Sequence, residues 1–312
     1  MIDLTINDVN PQDIKGGFAI QDPEITQYLS DKLSAYDWNS FLVNDGKLSD
    51  TQEEYKSTFR HWIENSKNNN INLGPFTHTT ITNGTSEAFQ MFMQRHSHRT
   101  FRFRPGEFMM HKVTANNMNL DWSWIHNYHS PEEYTPHDAL IISVPYSNSC
   151  SHESVDQLKS MLVHCNKLKI PVLLDFAYFG TTTDLHVDLS DSIYDCVEDV
   201  SFSLGKTYPL IGARPGIRFQ RKLTDDAVFF ANQNGIVNNF ACVSGILAMN
   251  KFDADYIYNK YHERAEDIAY ILNATVSCST IFLTSMDTKW NSINRVEHEQ
   301  TRLCISNLLT RT

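Results

Sequence analysis

Two almost unbroken apolar runs, 139–144 (ALIISV) and 172–174 (VLL, leading into Asp175), lack the alternation of a half-exposed strand. Such runs predict strands buried on both faces, as in a parallel sheet covered by helices. Between them, Val155, Leu158, Met161, Leu162 and Cys165 recur at helical spacing within 153–169, which closes a β-α-β unit. A further strand is predicted at 195–203. Upstream, the β-branched run 79–82 leads through Asn83-Gly84 into a helix carrying Phe89, Phe92 and Met93, and 99–104 alternates like a strand. Amphipathic helices are predicted around 25–36 and 51–65, and a loop with a short helix over the Asn- and Trp-rich 112–135. Beyond about 229 the pattern turns helical (236–249, 253–272), and 275–284 and 300–306 read as strands of a small terminal unit. The pattern predicts an α/β protein, a mainly parallel sheet with helices on both faces plus a small C-terminal α+β domain. The expected divisions are an N-terminal arm with helices over 1–75, a large α/β domain over 76–235 and a small domain over 236–312.

Composition narrows the partners more than the fold. A chain of 312 residues has room for one large domain with ample core and a smaller one. An apolar content of 41% and a charged content of 20% are ordinary for a soluble protein. No basic-plus-apolar leader is visible, and no apolar run nears the roughly 18 residues of a membrane span, so the expectation is a cytoplasmic protein. Lys plus Arg of 26 against Asp plus Glu of 37 gives a net charge of −11, which opposes a nucleic-acid partner. The basic cluster between Arg95 and Arg104 is too small to reverse that. Six scattered cysteines show neither a Cys-x-x-Cys pair nor zinc spacing, and His96-x-His98 has no companion ligands, so reduced thiols and no metal are expected.

The candidate chemistry centres on Lys206, in a glycine-bearing loop directly after a short apolar strand. A lysine is an amine nucleophile when burial or a neighbouring cation lowers its pKa, and a strand-end loop beside Arg214 offers both. The alternative is a solvated surface lysine. Gly205-Lys206-Thr207 is not a P-loop, because Val200 stands where the first glycine of that motif belongs. Asp175 sits at the C-terminal end of a buried strand, where ligands of open parallel sheets bind. An aspartate buried there without a cation costs several kcal/mol, and a protonated pyridine nitrogen is one partner that would offset the cost. Gly84-Thr85-Ser86, a glycine with hydroxyl residues at a helix start, reads as an anion site or as a plain N-cap.

In this order, Asp175-x-Ala177-Tyr178, Ser203-x-x-Lys206 and an arginine eight residues later at Arg214 resemble the signature of the class I/II aminotransferases, the fold type I pyridoxal-phosphate-dependent enzymes. The resemblance covers about 79–219 well and both ends loosely. It implies pyridoxal 5'-phosphate as cofactor, held by Lys206 as a Schiff base, with the same amine moving the α-proton as general base and acid. It further implies that Asp175 keeps the ring nitrogen protonated, that Tyr178 and Asn148 bind the phenolic oxygen and that Ala177 lies against the back face of the ring. Ser203, Arg214, Gly84, Thr85 and Ser86 would hold the phosphate. Phe108 and His111 match an aromatic-x-x-histidine segment whose ring stacks on the pyridine, although a plain core role for Phe108 stays open. Ser147 remains an alternative to Asn148, because it occupies the strict register of the family's Pro-x-Asn-Pro-Thr-Gly; the Pro-Thr-Gly itself is missing here. Arg302 would bind a substrate carboxylate, and Tyr36 or Tyr55 would reach the cofactor phosphate across a homodimer interface. The implied reaction is transamination of a small amino-acid or amine substrate. A decarboxylase or a carbon–sulfur or carbon–oxygen lyase on the same fold is the alternative, and a catalytically silent binding protein the third reading.

Overall fold

The computed structural model describes residues 5–41, 47–127, 130–151, 155–296 and 300–311. In chain order, α1 (Pro23–Ser34) and α2 (Lys47–Glu64) lead to β1 (Asn70–Asn72), β2 (His78–Asn83), α3 (Gly84–Arg95), β3 (Thr100–Phe103), α4 (Met109–Asn117) and β4 (Trp122–Trp124). The middle of the chain forms β5 (Asp138–Ser143), α5 (Val155–Leu168), β6 (Val172–Phe176), β7 (His186–Asp188), β8 (Val197–Ser203) and β9 (Pro215–Gln220). Then come α6 (Ala227–Gln233), α7 (Asn239–Lys251), α8 (Tyr256–Ile271), β10 (Thr275–Val276), β11 (Phe282–Ser285), β12 (Thr301–Cys304) and α9 (Ser306–Leu309).

Seven strands make the main sheet in the order β2-β9-β8-β6-β5-β3-β4. Within it β8, β6, β5, β3 and β4 pair in parallel, and β9 runs antiparallel to both β8 and β2. Every residue of β5 and β6 is buried, the counterpart of their apolar runs. Successive side chains serve opposite cores. Ala139, Ile141 and Leu173 pack with Phe89, Phe92 and Met93 of α3 on one face, whereas Leu140, Ile142, Val172 and Leu174 join the larger core with α2, α5 and α8 on the other. The fold class expected from the apolar pattern is the one observed. A separate antiparallel sheet, β10-β11-β12, stands near the C-terminus. Among the described residues no helix is long and apolar enough to cross a membrane.

Three elements depart from the sequence expectation. β9 lies in a stretch that reads as a polar loop, because fully buried Arg218 interrupts its apolar run. The guanidinium is tolerated there because it pairs with Asp226 at 2.6 Å and donates to Thr80 Oγ1 at 3.0 Å. β4, expected as loop, is a three-residue edge strand too short to leave a period, and β1 and β7 form an equally short parallel ribbon. The helix expected from 153 is seen from Val155 onward, residue 153 lying outside the described residues.

Candidate active site

The parallel strands β5, β6 and β8 end side by side, and the start of α3 faces them. At this edge opens a cleft lined by Gly84, Thr85, Ser86, Phe108, Ser143, Ser147, Asp175, Ala177, Tyr178, Ser203, Gly205, Lys206, Ile211 and Arg214. Ten of the twelve residues singled out from the sequence line this one cleft; Asn148 and Arg302 do not.

Asp175 is carried to the cleft floor by the penultimate position of β6 and is almost wholly buried. Its Oδ1 accepts the Ala177 N–H at 3.0 Å, and Thr85 supplies a side-chain hydrogen bond. Among the described residues no basic side chain forms an ion pair with it. Burial pushes its pKa up to about 7, the Thr85 hydrogen bond opposes the rise, and the neighbouring Glu107 charge adds to it. A buried carboxylate short of a cation fits the protonated nitrogen of a heterocycle.

Lys206 extends from the loop after β8, whose first turn is fixed by Leu204 N–H donating to Pro215 O at 3.1 Å and Gly205 N–H donating to Ser203 Oγ at 3.2 Å. Its Nζ donates to the carbonyl of Gly17. Burial is the largest influence lowering the amine pKa, and Arg302, Arg214 and Arg295 lower it further against the opposing Cys304. The two causes anticipated from the sequence, burial and Arg214, are both present.

At the opposite wall α3 begins at Gly84 with φ +66° and no side-chain cap from Asn83; the Gly84 N–H donates to Arg214 O at 2.8 Å, and the positive dipole end of the helix stands at the cleft with Thr85 and Ser86. Arg214, itself at φ +59°, donates to Ser86 Oγ at 3.0 Å and to Asn83 O at 3.2 Å. Two glycines make this close approach possible. A Cβ on Gly84 would lie 3.1 Å from the Arg214 guanidinium, and one on Gly216 would lie 2.5 Å from the Gly84 Cα. Ser203 Oγ donates to Pro215 O at 3.2 Å on the same wall. A hydroxyl-lined helix start with an arginine beside it is suited to a phosphate dianion.

The Phe108 ring borders the cleft, with Phe89 and His111 edge-on to it at 6.4 and 5.6 Å. His111 is buried among Phe89, Phe103 and Phe108; neither ring nitrogen has a partner among the described residues, and burial alone holds its pKa down near about 3. Tyr178 borders the cleft from the other side, its hydroxyl accepting from Arg302 at 3.4 Å and its pKa raised by burial.

Two residues singled out from the sequence do not line the cleft. Asn148 is buried but does not line the cleft; it packs on Gly106, where an added Cβ would meet its Cβ and Cγ at 2.8 Å. Ser147 lines the cleft instead, and its buried Oγ has no hydrogen-bond partner among the described residues. Arg302 lies behind Tyr178 rather than in the cleft, its guanidinium over the Phe282 ring at 4.3 Å and bonded to the carbonyls of Ser147 and Gly16. Tyr55 is fully buried and donates to Gly216 O at 3.2 Å, so it is committed to its own core. Tyr36 packs on Trp38 at 4.8 Å.

Sequence reasoning missed Glu107, whose carboxylate accepts from Phe108 N–H at 3.1 Å and Ser143 N–H at 3.4 Å, and missed Gly16 and Gly17 altogether. A carboxylate directly before the aromatic residue was the one available signal for Glu107. His96 lies 2.9 Å from Glu198 and away from the cleft, and among the described residues no His, Cys, Asp and Glu group has metal-binding geometry. Among the described residues no disulfide is formed.

No protein-family model and no curated protein sequence matches the chain. Solved structures do. N-Succinyldiaminopimelate aminotransferase from Mycobacterium tuberculosis superposes with a TM-score of 0.66 at 13% identity, over 94% of this chain and 88% of that one. The PLP-bound C–S lyase from Staphylococcus hominis gives 0.65 at 8% identity over 94% and 86%. Aromatic aminotransferase from Pyrococcus horikoshii OT3 gives 0.61 at 15% identity over 89% and 81%. The chain therefore has the fold of these aminotransferases and of the C–S lyase, the fold type I architecture that its motifs resemble.

Proposed function

We propose that this protein is a pyridoxal-phosphate-dependent aminotransferase that moves an amino group between an amino acid and a keto acid or other carbonyl acceptor. The observation that carries the reading is the pairing, in one cleft, of a buried carboxylate lacking a cation with a desolvated lysine opposite a helix-start anion site. When bound, pyridoxal phosphate supplies an electron sink for the carbanion formed at the substrate α-carbon. Lys206 is the amine that holds the group and, once free, moves the α-proton through Nζ, a task that its lowered pKa suits. Asp175 keeps a proton on the ring nitrogen. Arg214, Ser86, Thr85 and the start of α3 bind the phosphate, and Ser203 borders it. Tyr178 and Ser147 would hold the cofactor's phenolic oxygen, and Phe108 and Ala177 would supply the apolar surfaces for its ring. Arg302 binds the substrate carboxylate after exchanging its neutral carbonyl partners for it.

The similarity to a C–S lyase supports a second reading, elimination on the same site. Purified protein loaded with pyridoxal phosphate is expected to be coloured, to lose its visible band on borohydride reduction and to carry a phosphopyridoxyl group on Lys206 by peptide mass mapping. Protein that takes up no cofactor, or is labelled elsewhere, refutes the assignment. Incubation with single amino acids separates the two reactions: stoichiometric pyridoxamine phosphate with release of a keto acid marks transamination, and sulfide release without it marks the lyase. A homodimer, the assembly that the resemblance implies, is checked by light scattering.

A further inference from the structure

The segment Lys15–Phe18 runs beside the site and places two consecutive carbonyls on two basic side chains, buried Arg302 and half-buried Lys206. Gly16 O accepts from Arg302 Nη2 at 2.6 Å, and Gly17 O accepts from Lys206 Nζ. Phe18 N–H is directed at Cys304 Sγ, 3.4 Å away on β12. A Cβ on Gly17 would lie 3.3 Å from the Phe282 ring, 3.5 Å from the Tyr178 hydroxyl and 3.7 Å from Arg302 Nη2, so the strap packs against Tyr178, which borders the cleft, and against Phe282 and Arg302 beside it. Gly16 has φ +109°, a conformation that glycine alone adopts cheaply. Neither Arg302 nor Lys206 has a carboxylate partner among the described residues. A carbonyl is a weaker partner for a buried guanidinium than a carboxylate, so the strap supplies from within the chain what an anionic ligand would supply better.

We propose that the Gly16–Gly17 strap is a latch that closes the site of the cofactor-free protein and is released when the Lys206 amine is engaged. Release by pyridoxal phosphate rests on the proposed function, whereas the latch itself does not. Condensation of the neutral amine with an aldehyde forms a C=N bond and releases water, which takes both N–H hydrogens and leaves Gly17 O without its donor. A substrate carboxylate arriving at Arg302 displaces Gly16 O in the same way.

The peptide bond after exposed Lys15 is a trypsin site that reports strap opening. In cofactor-free full-length protein, Lys206→Met is expected to speed cleavage there about tenfold to a hundredfold, the range for one hydrogen bond to a charged group, while Lys206→Arg, which keeps a donor, stays at the wild-type rate. Cleavage after exposed Lys251, at the end of α7, remains unchanged in both and excludes general unfolding. Added pyridoxal phosphate is expected to speed cleavage after Lys15 in the wild type and to leave Lys206→Met unaffected. Equal rates for wild type and Lys206→Met overturn the latch, as does a wild type that becomes coloured without any change in rate. Faster cleavage of Lys206→Met with no uptake of cofactor by the wild type upholds the latch and refutes the proposed function.

Discussion

Replacing Asp175 by asparagine isolates the cost of a buried carboxylate from its role toward a ligand. In the cofactor-free protein its pKa rises from 3.8 to about 7, chiefly through burial. The folded protein thus holds this proton more tightly than the unfolded chain does between roughly pH 4 and pH 7, and stability falls as pH rises through that window. At ~1.4 kcal/mol per unit, the ionised carboxylate costs the fold about 4 kcal/mol by pH 8. Asparagine has nearly the same shape and carries no charge to desolvate, so it removes the pH-dependent part and leaves a constant offset from altered hydrogen bonding with Thr85 and Ala177. Urea unfolding of both proteins near pH 5 and near pH 8 measures the difference. The stability of Asp175→Asn minus that of the wild type is expected to grow by about 3 kcal/mol from the lower to the higher pH. With pyridoxal phosphate bound the order is expected to reverse, since a protonated ring nitrogen neutralises the carboxylate and asparagine cannot hold that proton. A gap that stays constant between the two pH values would refute the reasoning, because it would mean that the carboxylate has a cationic partner or is solvated.

Other positions give independent checks. Gly216→Ala puts a methyl group 2.5 Å from the Gly84 Cα and is expected to destabilise the protein by about 2–3 kcal/mol in urea unfolding, with weaker cofactor retention; a change within a few tenths of a kcal/mol would mean that the α3–β9 approach can relax. Arg214→Gln is expected to weaken pyridoxal phosphate binding about tenfold to a hundredfold, the loss for one charge-assisted hydrogen bond, with a shallower dependence on salt, measured by equilibrium titration. Ser147→Ala is expected to shift the pH midpoint of the visible band in loaded protein, whereas Asn148→Ala leaves the midpoint in place; the opposite pattern would return the phenolic-oxygen role to Asn148.

The parts of this molecule that were legible in the sequence are those in which local pattern and tertiary role coincide. β5 and β6 are buried on both faces and so are apolar throughout. Asp175 and Lys206 stand where such strands end, and the glycine with hydroxyl residues at Gly84 marks a helix start whether or not an anion binds there. β9 was hidden because its central Arg218 is neutralised by Asp226, eight residues away and off the strand, a compensation invisible to any local window. The choice between Ser147 and Asn148 depends on which of two adjacent buried side chains packs on Gly106, a contact set by chain 42 residues before Asn148. Arg302 was placed near the site by its strand, but its retreat behind Tyr178 depends on Gly16, 286 residues away. Glu107 was overlooked because its carboxylate bonds backbone N–H groups, which every residue has.

The charges in the cleft form a pattern more specific than any one residue. Burial pushes Asp175 and Tyr178 toward their protonated, neutral forms and Lys206 and His111 toward their deprotonated, neutral forms. Desolvation therefore works against charge in both directions, and Arg302 keeps its charge beside Tyr178. Each shifted group holds the fold above the free energy that a solvated or paired group would have, so a ligand restoring the missing partner recovers that difference as binding energy. The required ligand is narrowly defined. It brings an anion to Arg214 and the start of α3, a protonated nitrogen to Asp175 and an electrophile to the Lys206 amine, all within one cleft. Pyridoxal phosphate meets the three demands at once. A simple phosphate or a simple amine meets one each, so loading with the whole cofactor is expected to raise the unfolding temperature by more than the separate effects of inorganic phosphate and pyridine combined.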